Sequence, residues 1–232
     1  MTPILLTTGQ ILSAHARLRP TEIGARDMER SLRYQEWNAW ACRLANALTG
    51  LGLAKGDRVA VLAYNRLEWA EIYTATAKAG LIPVPINFRL TGTEAAFIIN
   101  DSGAAAVIVE DALLPTLDAA RADIHIPEDR FILIGGTPRA GYRGYEYLLS
   151  AASDTEPTAM VLPDDPWCLM YTSGTTGNPK GSIRSHRGMA MLALMTDIEF
   201  HLHRQDDAEF SEFLYCIPVL RRKNHDILPP QL

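Results

Sequence analysis

Only three cysteines, Cys42, Cys168 and Cys216, occur in 232 residues. They are odd in number, far apart and without CxxC spacing. That excludes a disulfide framework and a thiolate zinc site, and leaves buried or incidental thiols in a reducing compartment. No apolar run reaches the ~18 residues that a membrane helix needs, so no transmembrane segment is expected. The N-terminus shows no signal-peptide pattern, and the expected location is the cytoplasm. Positive charge is also scarce: 22 Lys and Arg stand against 27 Asp and Glu, a formal net charge of −5. The basic residues are dispersed, which argues against nucleic acid as a partner. The short run Arg221-Arg222-Lys223 has no interleaved aromatics and reads as a solvated cluster. No internal repeat or low-complexity tract is present.

The chain does have material for a core. Hydrophobic residues make up 47% and charged residues 21%, the balance of an ordinary globular protein. Trp37, Trp40, Ala41, Leu44, Ala45, Leu48 and Leu51 recur at three- and four-residue steps, predicting a helix over 34–51 with these residues buried and Gly50 and Gly52 as its stop. A strand is expected at 58–63, a helix at 67–78, and an extended piece at 81–86 whose two prolines exclude a long central strand. Thr91 or Thr93 caps the next helix, which buries Ala95, Ala96, Ile98 and Ile99 and ends at Gly103. Strands at 106–109 and 130–134 bracket a helix near 114–122. A polar, acidic linker fills 153–165, and a last helix is expected over 187–198. Strands and helices alternating at this spacing predict an α/β fold, with a parallel-rich sheet and helices on both faces.

Chemistry is concentrated in one segment. The apolar run Trp167-Cys168-Leu169-Met170-Tyr171 leads into Thr172-Ser173-Gly174-Thr175-Thr176-Gly177-Asn178-Pro179-Lys180-Gly181. Glycines let a backbone curl with its N–H groups inward as an anion-binding nest. Hydroxyls add donors, and a lysine adds a point charge suited to phosphate. The segment is not a Walker A loop, because Lys180 follows Pro179 and precedes Gly181 where that pattern needs Gly-Lys-Ser/Thr.

The string TSGTTGNPKG, followed by Ser182-Ile183-Arg184-Ser185-His186-Arg187-Gly188, resembles the phosphate loop of adenylate-forming enzymes, the acyl-CoA synthetases, nonribosomal adenylation domains and luciferases. Leu32-Arg33-Tyr34-Gln35-Glu36-Trp37 and Lys78-Ala79-Gly80-Leu81-Ile82-Pro83-Val84-Pro85-Ile86-Asn87 look like two earlier motifs of that family in the expected order. Asn87-Phe88 stands where nonribosomal domains usually carry an aspartate–proline pair, which places the resemblance in the acyl-CoA synthetase branch.

The resemblance implies ATP-dependent activation of a carboxylic acid to an acyl-adenylate and then to a coenzyme A thioester, as in fatty acid metabolism. It implies Thr172, Ser173, Gly174, Thr175, Thr176, Gly177, Lys180 and Gly181 as the nucleotide-binding set. Within it, Lys180, Thr175 and Thr176 are the catalytic candidates, with Lys180 neutralising phosphate charge. Magnesium would bridge the phosphates, with Thr175 or Thr176 contributing. ATP, magnesium, coenzyme A and a small carboxylic acid are the implied ligands.

Beyond Asp207 the family pattern is lost. The stretch Ile217-Pro218-Val219-Leu220 lacks the expected aromatic–His pair, and His225 is out of place. Residues 1–206 are therefore expected to form a partial N-terminal domain. Residues 207–232 are expected to be an atypical tail, unstructured or read out of frame, and the truncated chain is expected to be inactive alone and to self-associate through uncovered surface. The alternative is a non-catalytic nucleotide- or phosphate-binding or regulatory module. His201 and His203 read as solvent-exposed side chains, and Ser185-His186 adjacency does not imply a hydrolase.

Overall fold

The computed structural model describes residues 6–172 and 179–200, together with 208–210 and 218–220. It divides into two units, residues 1–190 and 191–232. In the first unit, α1 (Thr8–Leu18) precedes an antiparallel ribbon of β1 (Ile23–Arg26) and β2 (Ser31–Arg33), and α2 (Tyr34–Gly50) follows. Then come β3 (Arg58–Leu62), α3 (Glu68–Ala79), β4 (Ile82–Pro85), α4 (Gly92–Asp101), β5 (Ala104–Glu110), α5 (Leu114–Asp118), β6 (Phe131–Ile134), β7 (Arg143–Gly144) and α6 (Tyr145–Ala151). A hairpin of β8 (Pro166–Thr172) and β9 (Lys180–Ser185) leads into α7 (His186–Phe200). In the second unit β10 (Ala208–Phe210) pairs antiparallel with β11 (Pro218–Leu220).

The central sheet is parallel throughout, in the order β4-β3-β5-β6-β7. Its strands are apolar on both sides because both faces are covered. Val59, Val61, Ala106, Ile108, Ile132 and Ile134 point into one core with Leu44 and Leu48 of α2, Ile72 of α3 and Leu149 of α6. The alternate residues, including Ala60, Leu62, Val107, Val109 and Leu133, face a second core with Ile98 and Ile99 of α4 and Leu117 of α5. Each fully buried Leu or Ile contributes about 1.5–3 kcal/mol. The expected sheet with helices on both faces is what the chain forms.

Three expectations are corrected. Trp40 does not lie on the buried stripe of α2: it is 39% exposed, whereas Trp37 is half-buried and donates its indole N–H to the Ala70 carbonyl and to Thr74 Oγ1, both at 3.0 Å. A 17-residue helix rotates away from any fixed face, and Trp40 falls at the rim. The helix near 114–122 stops at Asp118, and Arg121–Asp123 forms a single 3-10 turn. Arg121 sits 3.3 Å from the Phe131 ring centroid and 4.6 Å from that of Tyr142, a cation–π seat at this turn. The third correction concerns the loop at the hairpin tip.

Candidate nucleotide-phosphate site

In an open parallel sheet ordered 2-1-3-4-5, ligands ordinarily enter the crevice at the carboxyl ends of the first and third strands. Here those strands are β3 and β5, and their carboxyl ends carry charged side chains already paired with one another. Arg66 pairs with Glu110 at 3.0 Å, and Glu110 also accepts the Tyr64 N–H at 2.7 Å. Glu68, buried at the start of α3, accepts Arg66 at 2.7 Å and Arg30 at 2.9 Å. Burial works against its charge, but the two guanidiniums win and hold its carboxyl below the usual range. A crevice edged by satisfied carboxylates does not suit a phosphate. The β8–β9 hairpin is the remaining candidate.

Strand β8 buries Trp167, Cys168 and Met170, with Trp167 stacked 5.1 Å from Tyr73 of α3. It runs beside β4, and β9 returns along it antiparallel. The pairing extends from Pro166↔Ser185 at the base to Thr172↔Lys180 at the tip. Thr172 and Lys180 therefore face each other across the mouth of the loop, both exposed. Gly181 pairs with Tyr171 one step inside. The expected loop of 172–181 is thus shorter than its motif. Thr172, Lys180 and Gly181 are strand residues, because once β8 is fixed against β4 the backbone groups after Pro179 find their partners on it. Ser173, Gly174, Thr175, Thr176 and Gly177 lie outside the described residues.

Gly181 also has a steric role. A Cβ built there would lie 3.0 Å from Leu169 Cδ1 and 3.3 Å from Tyr171 Cζ. The Tyr171 hydroxyl donates to Asp101 Oδ2, the last residue of α4, at 2.5 Å. Burial and that carboxylate push the phenol well above its ordinary range, so it remains a donor.

The base of the hairpin is fastened by polar contacts. Asp165 accepts Lys55 Nζ at 2.7 Å, and its carbonyl accepts the His186 N–H at 3.2 Å. Arg187 forks onto Asp164 at 2.6 and 2.9 Å. His186 is buried and contacts Thr8 Oγ1 through Nδ1 at 3.3 Å. Burial lowers its pKa to about 4, with Asp165 opposing and Lys55 assisting, so the ring is neutral and structural. Among the described residues no group of three His, Cys, Asp or Glu side chains could hold a metal ion, and no helix is long and apolar enough to cross a membrane. Cys42 and Cys168 are buried and not joined in a disulfide. Cys216, His201, His203, His225 and the sequence Arg221-Arg222-Lys223 lie outside the described residues.

Sequence reasoning found the strand and the motif but missed the Tyr171–Asp101 contact and the fastening of the base. The first joins residues 70 positions apart, and no local pattern announces such a pair.

Known proteins are similar over the same region. The model of the family described as AMP-binding enzyme matches residues 12–219. The long-chain-fatty-acid–CoA ligase FadD13 of Mycobacterium tuberculosis is 43% identical over 160 residues, 69% of this chain and 31% of that protein. The indoleacetate–CoA ligase of Aromatoleum aromaticum is 34% identical over 197 residues, 84% of this chain and 38% of that protein. Among solved structures, the anthranilate CoA ligase AuaEII in complex with anthranoyl-AMP superimposes with a TM-score of 0.77 at 28% identity, covering 84% of this chain and 37% of that one. The N-terminal domain of FACL13 from Mycobacterium tuberculosis gives a TM-score of 0.67 at 33% identity, over 78% and 45%. The chain spans about a third of the length of the curated relatives it matches. With the family match extending over most of its length, the chain belongs to the AMP-binding enzyme family.

Proposed function

We propose that this chain supplies the phosphate-holding part of an AMP-forming acid–thiol ligase. In that reaction a carboxylate oxygen attacks the α-phosphorus of ATP, forming the acyl-adenylate as the α–β bridging bond breaks and pyrophosphate leaves. The sulfur of coenzyme A then attacks the acyl carbon, AMP departs, and the thiol proton passes to solvent. The difficulty of the first step is charge: an anion attacks a polyanion while negative charge builds on the leaving group. Backbone N–H groups of Gly174, Thr175, Thr176 and Gly177 and the hydroxyls of Ser173, Thr175 and Thr176 are the donors we assign to the β- and γ-phosphates. Lys180 is their counter-charge. A preorganised donor of this kind contributes ~3 kcal/mol in the transition state. Magnesium enters the same reading as counter-ion of the phosphates, with Thr175 or Thr176 as the threonine that would ligate it.

The observation that carries the proposal is the Thr172↔Lys180 register. It brings a lysine back to the mouth of a Ser-Gly-Thr-Thr-Gly loop at the end of a strand anchored in the core. The carboxylic acid is taken to be fatty or aromatic, since the relatives named above act on both. A cytoplasmic location fits the two buried cysteines, Cys42 and Cys168, which form no disulfide. We take residues 1–206 as the ligase-type portion and 207–232 as a distinct tail on the loss of apolar periodicity beyond Asp207, although the family match runs on to residue 219. Self-association of the 232 residues expressed alone would use the outer face of β9, where Ile183 is 66% exposed.

The test is calorimetric titration of the chain with ATP and with inorganic pyrophosphate. Both should bind, and Lys180→Ala should weaken both at least tenfold, about 1.4 kcal/mol. Absence of binding, or equal affinity in the variant, would refute the assignment.

A further inference from the structure

We propose that residues 153–161 form a strap over α1, α2 and α3 that is pinned by Glu156 and opens locally, without unfolding of the sheet, to uncover Cys42. The segment has no helix or strand of its own and joins α6 to β8. It belongs to neither core, and Asp154, Thr155, Thr158 and Met160 are exposed. Polar contacts hold it in place. Arg43 of α2 donates to the Ala152 carbonyl and to Asp154, both at 3.1 Å. Asn46 of the same helix donates to the carbonyls of Ser153 and Thr155 at 2.8 and 2.9 Å. Lys55 donates to the Met160 carbonyl at 2.8 Å. Arg43, Asp154 and Lys55 are all partly exposed, so these contacts compete with water and each contributes little.

Glu156 is different. Its carboxylate accepts Lys78 Nζ of α3 at 2.8 and 3.1 Å, Ser13 Oγ of α1 at 2.8 Å and Asn38 Nδ2 of α2 at 3.1 Å. One side chain ties the strap to three helices, and the lysine it meets is buried. A charge-assisted bond to a buried ammonium outweighs the exposed pairs, which makes Glu156 the pin. A cavity of about 160 Å³ lies beside it, lined by Thr7, Gln10, Ser13, Lys78 and Pro157 among others. Opening therefore breaks a few polar contacts and exposes little apolar surface, the profile of a segment that opens well below the cost of global unfolding. Next to the pin is Cys42, which has no exposed surface. Asn38 Nδ2 reaches both Glu156 and, at 3.8 Å, Cys42 Sγ. Burial pushes the thiol up to about 11, against the pull of Lys78 and with Glu156 adding to the rise. Under the closed strap the thiol is both protonated and shielded, and it is the thiolate that reacts.

The test is iodoacetamide labelling of the native 232-residue chain, in which the thiolate displaces iodide, followed peptide by peptide. Cys168, buried in β8, is the internal reference. Cys42 should label at least about tenfold faster than Cys168, at a rate almost independent of urea below the unfolding transition, because local opening exposes little surface. Labelling of Cys168 should wait for global unfolding and rise steeply with urea. Glu156→Gln, which removes the charge and keeps the shape, should speed Cys42 labelling about tenfold. Asp154→Asn, which loses only an exposed pair, should change it less than about twofold. Cys42 labelling that tracks Cys168 in rate and urea dependence would overturn the proposal, and so would a Glu156→Gln rate equal to that of the wild type. The comparison of the two cysteines in the wild type decides between local and global opening even where a variant fails to fold.

Discussion

Replacing Glu71 should remove a pH dependence that runs opposite to that of most carboxylates. Glu71 lies on the inner side of α3 with only 6% of its surface exposed, and it accepts the hydroxyl of Tyr145 at 2.7 Å. Burial raises its pKa to about 7 from 4.5; Tyr145 opposes the shift and neighbouring Glu68 adds to it. The folded state therefore binds the proton more tightly than the unfolded state. Stability from this group is fully present below pH 4.5 and is lost as pH rises through about 7. A displacement of two to three units corresponds to about 3 kcal/mol in total, most of it between pH 5 and 8. Glu71→Gln keeps an acceptor for Tyr145 and cannot ionise. Urea unfolding of both proteins across this range should show the variant gaining roughly 2–3 kcal/mol on the wild type towards pH 8. Contributions from other titrating groups are common to both and cancel in the difference. A difference that stays constant within about 0.5 kcal/mol from pH 5 to 8 would refute the reasoning.

Two further outcomes follow from the same kind of accounting. Glu156→Ala should destabilise the chain by about 1–3 kcal/mol, because it removes the charged partner of a buried ammonium; Lys78 Nζ is 2.8 Å from Glu156, with the Lys78 side chain 3% and the Glu156 side chain 51% exposed, and keeps Ser13 Oγ at 2.5 Å. Denaturant midpoints check this, and Lys78→Met with Glu156→Ala should recover most of the loss. The 232 residues alone, given ATP, coenzyme A and a panel of fatty and aromatic acids, should release pyrophosphate only at background. Turnover abolished by Lys180→Ala would show that the remaining two thirds of the relatives' length is dispensable.

The elements legible in the sequence were those whose own residues dictate them. The stripe Ala41, Leu44, Ala45 and Leu48 specifies α2, and the runs Val59–Leu62 and Val107–Val109 are apolar on both sides because both faces of the sheet are covered. Of the two threonines expected to cap α4, Thr91 does so, through a reciprocal pair with Glu94. Helix α1 was missed although Thr7 and Gln10 form the same box, because Gly9, Ser13, His15 and Arg17 dilute any apolar stripe. Strand β9 was missed for a deeper reason. Lys180-Gly181-Ser182-Ile183-Arg184-Ser185 has no alternation, and its conformation comes from its partner β8. For the site, the motif announced the chemistry, while the register that sets Lys180 opposite Thr172 depends on tertiary pairing.

Why the hairpin begins a separate sheet, when it could have extended the parallel one, is answered by two prolines. Ile82 and Ile86 donate their N–H groups to Asp57 and Val61, each at 2.8 Å, on the β3 side. Successive residues of a strand point their backbone groups to opposite edges, so positions 83 and 85 face outward. Both are proline and carry no N–H. The outer edge of β4 offers carbonyls and no ladder donors there, which ends the parallel sheet as an edge proline does elsewhere. Strand β8 still lies beside β4, and its Trp167 stacks on Tyr73 of α3. Its own backbone groups are satisfied by β9. A strand continuing the parallel sheet would need a crossover of a dozen or more residues before its next neighbour. An antiparallel return needs only a short loop, and that loop is what places Lys180 back beside Thr172. The Pro83 and Pro85 pair, distant from the phosphate motif in sequence, is thus part of why the motif can close on itself.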